Sequence, residues 1–224
     1  MIALLAPLVS ALFGSVSQAS GGLPGPLEPG RVAAWTIEQG GQRLGECRSH
    51  YEGEVALGSL RAHLFHDQVA LDLGGIQQRF TVELWTDAQG HPLRFDSRAQ
   101  LGDVISNVVG VFAGGEAELV VRQGPGEKEL TAAAPADAFL LANNFVSQLE
   151  LLLAARPPAD AHSVTLFSAN ALRTLPYTLK TVSADAVESV YEDSLGERLH
   201  WSADGKLTLV EIPAQKITMH RAEP

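Results

Sequence analysis

Residues 69–85 read VALDLGGIQQRFTVELW and contain the pattern that decides the fold. Before the two glycines, apolar side chains occupy every second position, ending at Leu73. After them the alternation resumes, with Val82 and Leu84 on one face. Because successive side chains of a strand point to opposite faces, this period of two predicts two half-buried strands. The Gly74–Gly75 pair between them predicts a tight hairpin.

The same pattern recurs along most of the chain from Val32 onward. Short alternating runs are separated by turn residues such as Gly40–Gly41 and Asp204–Gly205. Residues 101–115 fit either a bulged strand or a short amphipathic helix, and their glycines favour strand and turn. Period-two runs between regular turns are typical of an antiparallel sheet with one solvated face. We therefore expect a mainly antiparallel β fold of the α+β class, a curved sheet or half-barrel with one main helix packed on or in it.

One segment, residues 137–156, has the period of a helix instead. Asp137 is predicted to be its N-cap, and Pro157–Pro158 would end it. A helix with one solvated face needs a single apolar stripe, but this segment carries two. The first stripe, expected to face the sheet, comprises Phe139, Val146, Leu149 and Leu153. The second comprises Leu141, Phe145 and Leu152. Either the helix is core on both sides, or the second stripe closes over an apolar cavity.

The amino-terminal region has the features of an export signal. Residues 2–13 are apolar and uncharged, but they are too few for a membrane span of about 20 residues. The small residues Ser17 and Ala19 predict cleavage directly after them. No Lys or Arg precedes Arg31, so the positive charge that ordinarily begins such a signal is missing, and the sequence leaves open whether the true start is Met1 or lies upstream. The expected organisation is a signal peptide over 1–19, a Gly/Pro-rich linker over 20–30 and a single β-rich domain over 31–221, in a periplasmic or secreted protein.

Composition excludes several classes of function. The chain has 224 residues, with 16 Lys plus Arg against 26 Asp plus Glu, so its formal net charge is −10. Such a charge repels phosphate backbones and anionic lipid headgroups, which argues against nucleic-acid binding. The single cysteine excludes an internal disulfide framework and a zinc site of several thiolates. We expect no transmembrane helix in the mature chain and no cofactor.

The chemically reactive residues form no recognisable constellation. Cys47 and His50, and likewise His63 and His66, are three residues apart on expected strands, which puts the members of each pair on opposite faces. A metal site or a Cys–His nucleophile needs its groups to meet in space. The sequence also contains no Gly-x-Ser-x-Gly, phosphate loop or dinucleotide fingerprint. We therefore predict no catalytic residue, no metal site and no enzymatic activity, and an inward-facing, unreactive Cys47.

Large apolar side chains are the candidates for ligand binding. Trp85 and Trp201 each precede a hairpin turn, where a tryptophan either caps the end of a core or lines the mouth of a cavity. The second helix stripe adds surplus apolar surface, and a curling sheet makes a cavity physically reasonable. The predicted cavity residues are Trp35, Trp85, Leu141, Phe145, Leu152 and Trp201.

Several short motifs resemble those of bacterial exported proteins of unknown function. They are the Gly-Gly hairpin followed by Arg43-Leu44-Gly45, the mid-chain helix, and Trp201-x-x-Asp204-Gly205-Lys206-Leu207 with Ile212-Pro213. The organisation is also similar to half-barrel carriers of the LolA/LolB type and to the β-rich modules found beside transglutaminase-like domains. This resemblance implies a sheet curled round an apolar cavity with helical cover, and it supplies no catalytic residue.

Two functions are compatible with these observations. The first is a periplasmic, non-enzymatic carrier or binding module for a hydrophobic small molecule or lipid. The second is a non-catalytic interaction or scaffold domain that contacts a partner protein in the envelope and buries the helix as plain core. An enclosed apolar cavity of about 300–1,000 Å³ beneath the helix favours the carrier, and a filled interior favours the scaffold.

Overall fold

The computed structural model describes residues 27–142, 145–154, 161–191 and 194–222. The predicted signal peptide, and the predicted linker as far as residue 26, lie outside these ranges. Eight strands come first: β1 (Arg31–Gln39), β2 (Gln42–Leu57), β3 (Leu60–Leu73), β4 (Ile76–Thr86), β5 (Pro92–Leu101), β6 (Val104–Ala113), β7 (Glu116–Gln123) and β8 (Gly126–Ala133). A short strand, β9 (Phe139–Leu141), and the helix α1 (Val146–Ala154) follow. The chain then continues through β10 (Ala161–Ser168), β11 (Arg173–Ser183), β12 (Ala186–Tyr191), β13 (Ser194–Trp201), β14 (Leu207–Ile212) and β15 (Ile217–Arg221).

All fifteen strands belong to one sheet. Its order is β8-β7-β6-β5-β4-β3-β2-β1-β15-β14-β13-β12-β11-β10-β9, so the first and last strands of the chain pair in its middle. Every neighbouring pair is antiparallel except β9 and β10, which run parallel. The prediction of a mainly antiparallel fold with one helix is confirmed for the described residues, and residues 101–115 form β6 with a turn on either side.

The sheet curves until strands from its two ends meet. The hydroxyl of Thr174 on β11 donates a hydrogen bond to the carbonyl oxygen of Ala133 on β8, at 3.1 Å. Curvature of this kind needs local irregularity, and the register shifts on β2 between Tyr51 and Gly53. The ring of Phe95 on β5 lies directly against Gly110 on β6, where a Cβ atom would stand 2.3 Å from the Phe95 Cε1 atom. The inner face of the sheet is therefore closely packed at this point.

The helix α1 lies inside this curve and is buried on every face. All eight residues from Val146 to Leu153 are buried, and the helix packs on β2, β3 and β9. Leu149 and Leu153 belong to the first predicted stripe, and they are 5% and 3% exposed. Leu152, from the second stripe, is 2% exposed. Both stripes are therefore packed against protein in this part of the molecule.

The helix begins at Val146 and not at Asp137, so the predicted start was wrong. Phe139–Leu141 forms β9 instead, and it pairs in parallel with Leu166–Ser168 of β10. A backbone whose N–H and C=O groups bond to a neighbouring strand cannot also form helical hydrogen bonds. Asp137 lies in the turn before β9. The predicted helix end at residues 156–158 lies outside the described residues.

Truncation of Leu152 tests whether the second stripe is core. Leu152→Ala should lower the free energy of unfolding by about 2–5 kcal/mol, because a buried leucine leaves a cavity that the surroundings only partly fill. The exposed Leu101, at 48%, supplies the control, and Leu101→Ala should change stability by less than about 0.5 kcal/mol. Chemical denaturation of the three proteins measures both effects. Equal stability of Leu152→Ala and wild type would contradict the packed interior.

Candidate functional site

Four of the six predicted cavity residues lie on the inner side of the sheet or beside the helix. Trp35 is 1% exposed on the inner face of β1, and Phe145, just before α1, is 7% exposed. Leu152 is fully enclosed, and Leu141 on β9 is half-buried and packs against the core. With so little exposed surface, the side chains of Trp35, Phe145 and Leu152 contact protein and line no large empty space.

The other two predicted residues do not join them in one site. Trp85 lies on the outer face of β4, where the guanidinium of Arg94 stands 5.3 Å from the centre of its ring. Its neighbour Leu84 is 1% exposed on the inner face, so the strand alternates as expected. Trp201 is half-buried at the end of β13 and packs against the core. The six side chains therefore belong to different faces and to different parts of the sheet.

Polar groups from the sheet bind the first turn of α1. The Asp67 carboxylate on β3 accepts hydrogen bonds from the Ser147 backbone N–H, at 3.1 Å, and from the Ser147 hydroxyl, at 2.8 Å. Cys47 on β2 lies near the same turn, where the Val146 backbone N–H opposes the rise in the pKa of its thiol. The first N–H groups of a helix have no partner within it, so Asp67 takes the place of an N-cap. The helix start is thus fixed by a strand that is distant in sequence.

A buried ion pair fixes the middle of the helix. Arg31 at the start of β1 donates a hydrogen bond to the Glu150 carboxylate, and the two side chains are 10% and 3% exposed. Arg221 at the end of β15 places its guanidinium 4.0 Å from the same carboxylate. Its other neighbour is Trp35, whose ring centre is 5.8 Å away. The helix, the first strand and the last strand are therefore joined at one point.

Burial shifts the protonation of these interior groups toward their neutral forms. Desolvation raises the pKa of Asp67 to about 7, although the hydrogen bonds from Ser147 oppose the shift. Desolvation also raises the pKa of Glu150, against the attraction of Arg31. The pKa of the Cys47 thiol is raised by its burial, with the nearby Asp67 adding to the effect. A thiol in this environment stays protonated at neutral pH and is a poor nucleophile.

The geometry brings neither His50 nor His63 to Cys47. His50 lies on the outer face of β2, where its ring stacks on that of His66 at 5.9 Å. Cys47 faces inward and is fully enclosed, as predicted. His63 is also inward, but its Nδ1 atom is 2.6 Å from the Tyr51 hydroxyl. Across the described ranges, no group of three His, Cys, Asp or Glu side chains is placed to hold a metal ion.

A row of exposed aliphatic side chains marks one end of the sheet. Leu73 and Ile76 face each other across the tip of the β3–β4 hairpin, and Leu101 and Val104 do so in the adjacent β5–β6 hairpin. Their exposed fractions are 39%, 55%, 48% and 51%, in that order. We call these four residues the aliphatic rim. Its members continue the inner face of the sheet across four adjacent strands.

The inner face becomes progressively less covered toward the aliphatic rim. On β3 the exposed fraction rises from 2% at Val69 through 8% at Leu71 to 39% at Leu73. On β4, Val82 is buried, Phe80 is half-buried and Ile76 is exposed. The inward residues of β5 and β6 before the rim are half-buried, namely Ser97, Ala99, Ser106 and Val108. The helix packs on β2, β3 and β9, and the inner face next to the aliphatic rim is partly open.

Sequence reasoning missed the aliphatic rim, although its signal is present. Each of the two turns is Gly-Gly or Gly-Asp, and each is flanked on both sides by aliphatic residues where hairpin tips are ordinarily polar. Of the seven large hydrophobic side chains exposed in the described part of the chain, four form the rim, and Ile105 follows directly after it. The other two, Val32 and Val182, are at the opposite end of their strands. Such a concentration of apolar surface is typical of a binding site.

Comparisons with known proteins add little to this geometry. No family model matches the chain, and no curated protein matches it. The crystal structure of a DUF1089 family protein from Pseudomonas aeruginosa is similar with a TM-score of 0.48 and 11% sequence identity, over 75% of this chain and 90% of that one. A likeness at this level carries no argument about fold family or function.

Asp67 should make the folded protein less stable as pH rises. Its carboxyl has a pKa of about 7 in the folded protein, against about 3.9 in an unfolded chain, so the folded state binds more protons between these values. The stability contributed by this group is fully present below about pH 4 and is lost as pH rises through about 7. Between pH 5 and pH 8 the free energy of unfolding should fall by about 2–3 kcal/mol. Urea denaturation at the two pH values measures this fall.

Asp67→Asn should remove the part of that pH dependence that comes from Asp67, because the amide does not titrate. Glu150 also has a raised pKa, and the slope that it contributes has the same sign. Glu129→Gln is the control, because Glu129 is exposed on β8 and its loss should leave the slope unchanged. If Asp67→Asn keeps the full slope of the wild type, the buried carboxyl is not its source.

Cys47 should resist modification in the native protein. Because its thiol is enclosed and protonated, labelling by a maleimide should proceed at the rate at which the protein opens, and should become rapid in denaturant. Mass spectrometry of timed samples measures both rates. Native labelling as fast as that of the unfolded chain would show that the thiol is accessible.

Proposed function

We propose that this protein is an exported, non-enzymatic binding module for an apolar, lipid-like ligand. The observation that carries the proposal is the aliphatic rim at the partly open end of the inner face. Exposed apolar surface that continues into a half-buried concave face offers an apolar molecule both an entrance and a surface to bind. The likeness to LolA/LolB-type carriers suggested by the sequence is part of this proposal.

The binding surface lies on β3–β6, away from the helix. Phe80 and Val108 supply apolar side chains there, and both pack at the margin of the core. Leu73 and Leu101 continue the same face outward to the tips of the hairpins. The proposed site therefore differs from the cavity predicted at the second stripe of the helix, which is packed. It lies on the part of the inner face that the helix leaves uncovered.

Export belongs to the same proposal. The expectation rests on the apolar residues 2–13 and the cleavage pattern ending at Ala19, which lie outside the described residues. No helix in the described ranges is long and apolar enough to cross a membrane. An export signal would deliver the protein to the periplasm or beyond, where an acidic binding module meets envelope lipids.

A non-catalytic scaffold domain is the second candidate. The observation that favours it is the complete burial of α1, since a helix buried from Val146 to Leu153 leaves its surroundings filled. In that case the aliphatic rim contacts a partner protein in the envelope. The two candidates differ in whether a small apolar molecule binds to the isolated protein.

Fluorescence titration with the neutral apolar probe N-phenyl-1-naphthylamine separates the two candidates. The wild-type protein should bind the probe saturably. Ile76→Gln combined with Leu101→Gln should weaken binding by about tenfold or more, because each change replaces apolar contact with a polar amide. Both residues are exposed, so the fold should be unaffected.

Val32→Gln combined with Val182→Gln is the matched control. These two aliphatic residues are 63% and 43% exposed at the other end of their strands, so the same chemical change there should leave probe affinity within about twofold. Absence of saturable binding to the wild type would support the scaffold. Equal loss in both double variants would mean that the probe detects general apolar surface.

A further inference from the structure

Three arginines on the outer face of the sheet lack an acidic partner. Arg48, Arg79 and Arg98 lie on β2, β4 and β5, and all three are exposed. In the described part of the chain no carboxylate lies within 4.0 Å of any of them, whereas Arg94 and Arg198, for example, each pair with an acid. In a protein of net charge −10, acidic partners are abundant, so three adjacent unpaired arginines are unusual.

The strand register places these arginines around a shared polar surface. Arg48, Gln68, Thr81 and Arg98 are cross-strand neighbours in one row across β2, β3, β4 and β5. Arg79 lies two residues before Thr81, on the same face. Two depressions of about 510 and 470 Å³ run along this face, and both are lined by Gln68 and Thr81. Their lining also includes carboxylates, Glu46 in the first and Glu83 and Asp96 in the second. The guanidinium, amide and hydroxyl donors between these acids match the oxygens of phosphate groups.

Arg79 and Arg98 lie at different heights above the aliphatic rim. Arg79 follows Ile76 by three residues on β4, and Arg98 precedes Leu101 by three on β5, but Leu101 pairs with Gln78, so the β5–β6 tip ends two residues short of the β3–β4 tip. A strand rises about 3.3 Å per residue, so the Arg79 backbone is about 10 Å and the Arg98 backbone about 16 Å from the level of Ile76. The headgroup layer of a bilayer is about 5–8 Å thick on each side of the hydrocarbon core, as its total and core thicknesses imply. The long arginine side chain spans the remaining distance.

The charge near the rim limits how deeply this end could enter a bilayer. Asp103 lies in the turn between Leu101 and Val104, and Asp72 accepts hydrogen bonds from the Gly75 N–H and the Gln77 side chain. Because a carboxylate is costly to transfer into hydrocarbon, these tips favour contact at the boundary of the acyl chains over deeper insertion. Ile105, 36% exposed on the outer face, makes the β5–β6 tip apolar on both faces.

We propose that this end of the sheet docks on a bilayer that carries anionic phospholipid headgroups. The aliphatic rim contacts the acyl boundary, and Arg79, with Arg98 and Arg48 in one row behind it, contacts the phosphates. Stable peripheral binding requires two such signals, an apolar one and a basic one. The net charge of −10 does not prevent this contact, since charges farther than about 8 Å are largely screened at physiological ionic strength.

The proposal shares the aliphatic rim with the proposed function but also depends on the arginines. Arg79→Gln combined with Arg98→Gln should therefore leave uptake of the neutral apolar probe unchanged in solution. A protein that binds the probe but no vesicle would retain the proposed function and lose the docking proposal. A protein that binds vesicles but no probe would do the reverse.

Co-sedimentation of the full chain with lipid vesicles tests the docking surface. Wild type should bind vesicles of phosphatidylethanolamine and phosphatidylglycerol, and should bind phosphatidylcholine vesicles more weakly. Arg79→Gln/Arg98→Gln should lower the affinity for the anionic vesicles by about tenfold or more. Ile76→Gln/Leu101→Gln should lower the affinity for both kinds of vesicle. Residues 2–13 are present in every variant, so differences between variants report on the folded domain.

Arg61→Gln/Lys206→Gln is the matched control, because it removes two positive charges at the other end of the sheet. Its affinity should stay within about twofold of the wild type, and thermal melting should confirm that all variants fold. Unchanged vesicle binding by the double arginine variant would overturn the proposal. Binding of inorganic phosphate without binding of vesicles would also overturn it and would assign the arginines to a soluble anion.

Discussion

The burial of the helix from Val146 to Leu153 is the constraint on which the rest of the structure depends. Since Val146 to Leu153 are all enclosed, apolar surface must surround α1 on every side, and a single sheet supplies it by curving. The polar groups of the helix then need partners inside that curve. Asp67 accepts hydrogen bonds from Ser147 in its first turn, and Arg31 pairs with Glu150. Each partner comes from a strand near the middle of the sheet, where β1 also pairs with β15.

The short length of the helix explains why the inner face is not uniformly covered. A helix of nine residues spans about 14 Å, whereas β3 has fourteen residues and extends over about 46 Å. The helix therefore leaves part of the inner face without cover. That part ends in the aliphatic rim at the tips of two neighbouring hairpins. An apolar ligand and a bilayer surface are the two partners proposed for the aliphatic rim. Both proposals depend on the helix being shorter than the strands that it packs on.

Much of the sheet could be predicted from local pattern, because the alternation of apolar and polar residues is visible in the sequence of each strand. The hairpin at Gly74–Gly75 and the inward position of Cys47 both follow from side chains that point alternately to either face. The start of the helix could not be found in this way. Phe139–Leu141 has helical spacing relative to Val146, but it pairs with residues of β10 that lie 27 positions further along the chain. The N-terminal partner of the helix, Asp67, is 80 residues away from Ser147.

In the candidate site too, some features follow from local sequence, and others depend on contacts between elements that are distant in the chain. Large apolar residues were expected to line a cavity, but three of those chosen, Trp35, Phe145 and Leu152, are packed core, because burial depends on which elements meet. The aliphatic rim follows from local sequence once the turns are recognised, yet its continuity depends on the register of two separate hairpins.

Native mass spectrometry of the protein isolated from the envelope of cells that produce it tests the central claim most directly. The account predicts a population heavier by the mass of one lipid-like molecule, which organic solvent releases and which is absent when Ile76 and Leu101 are both replaced by glutamine. A single population at the mass of the protein alone, under conditions that preserve the fold, would contradict it.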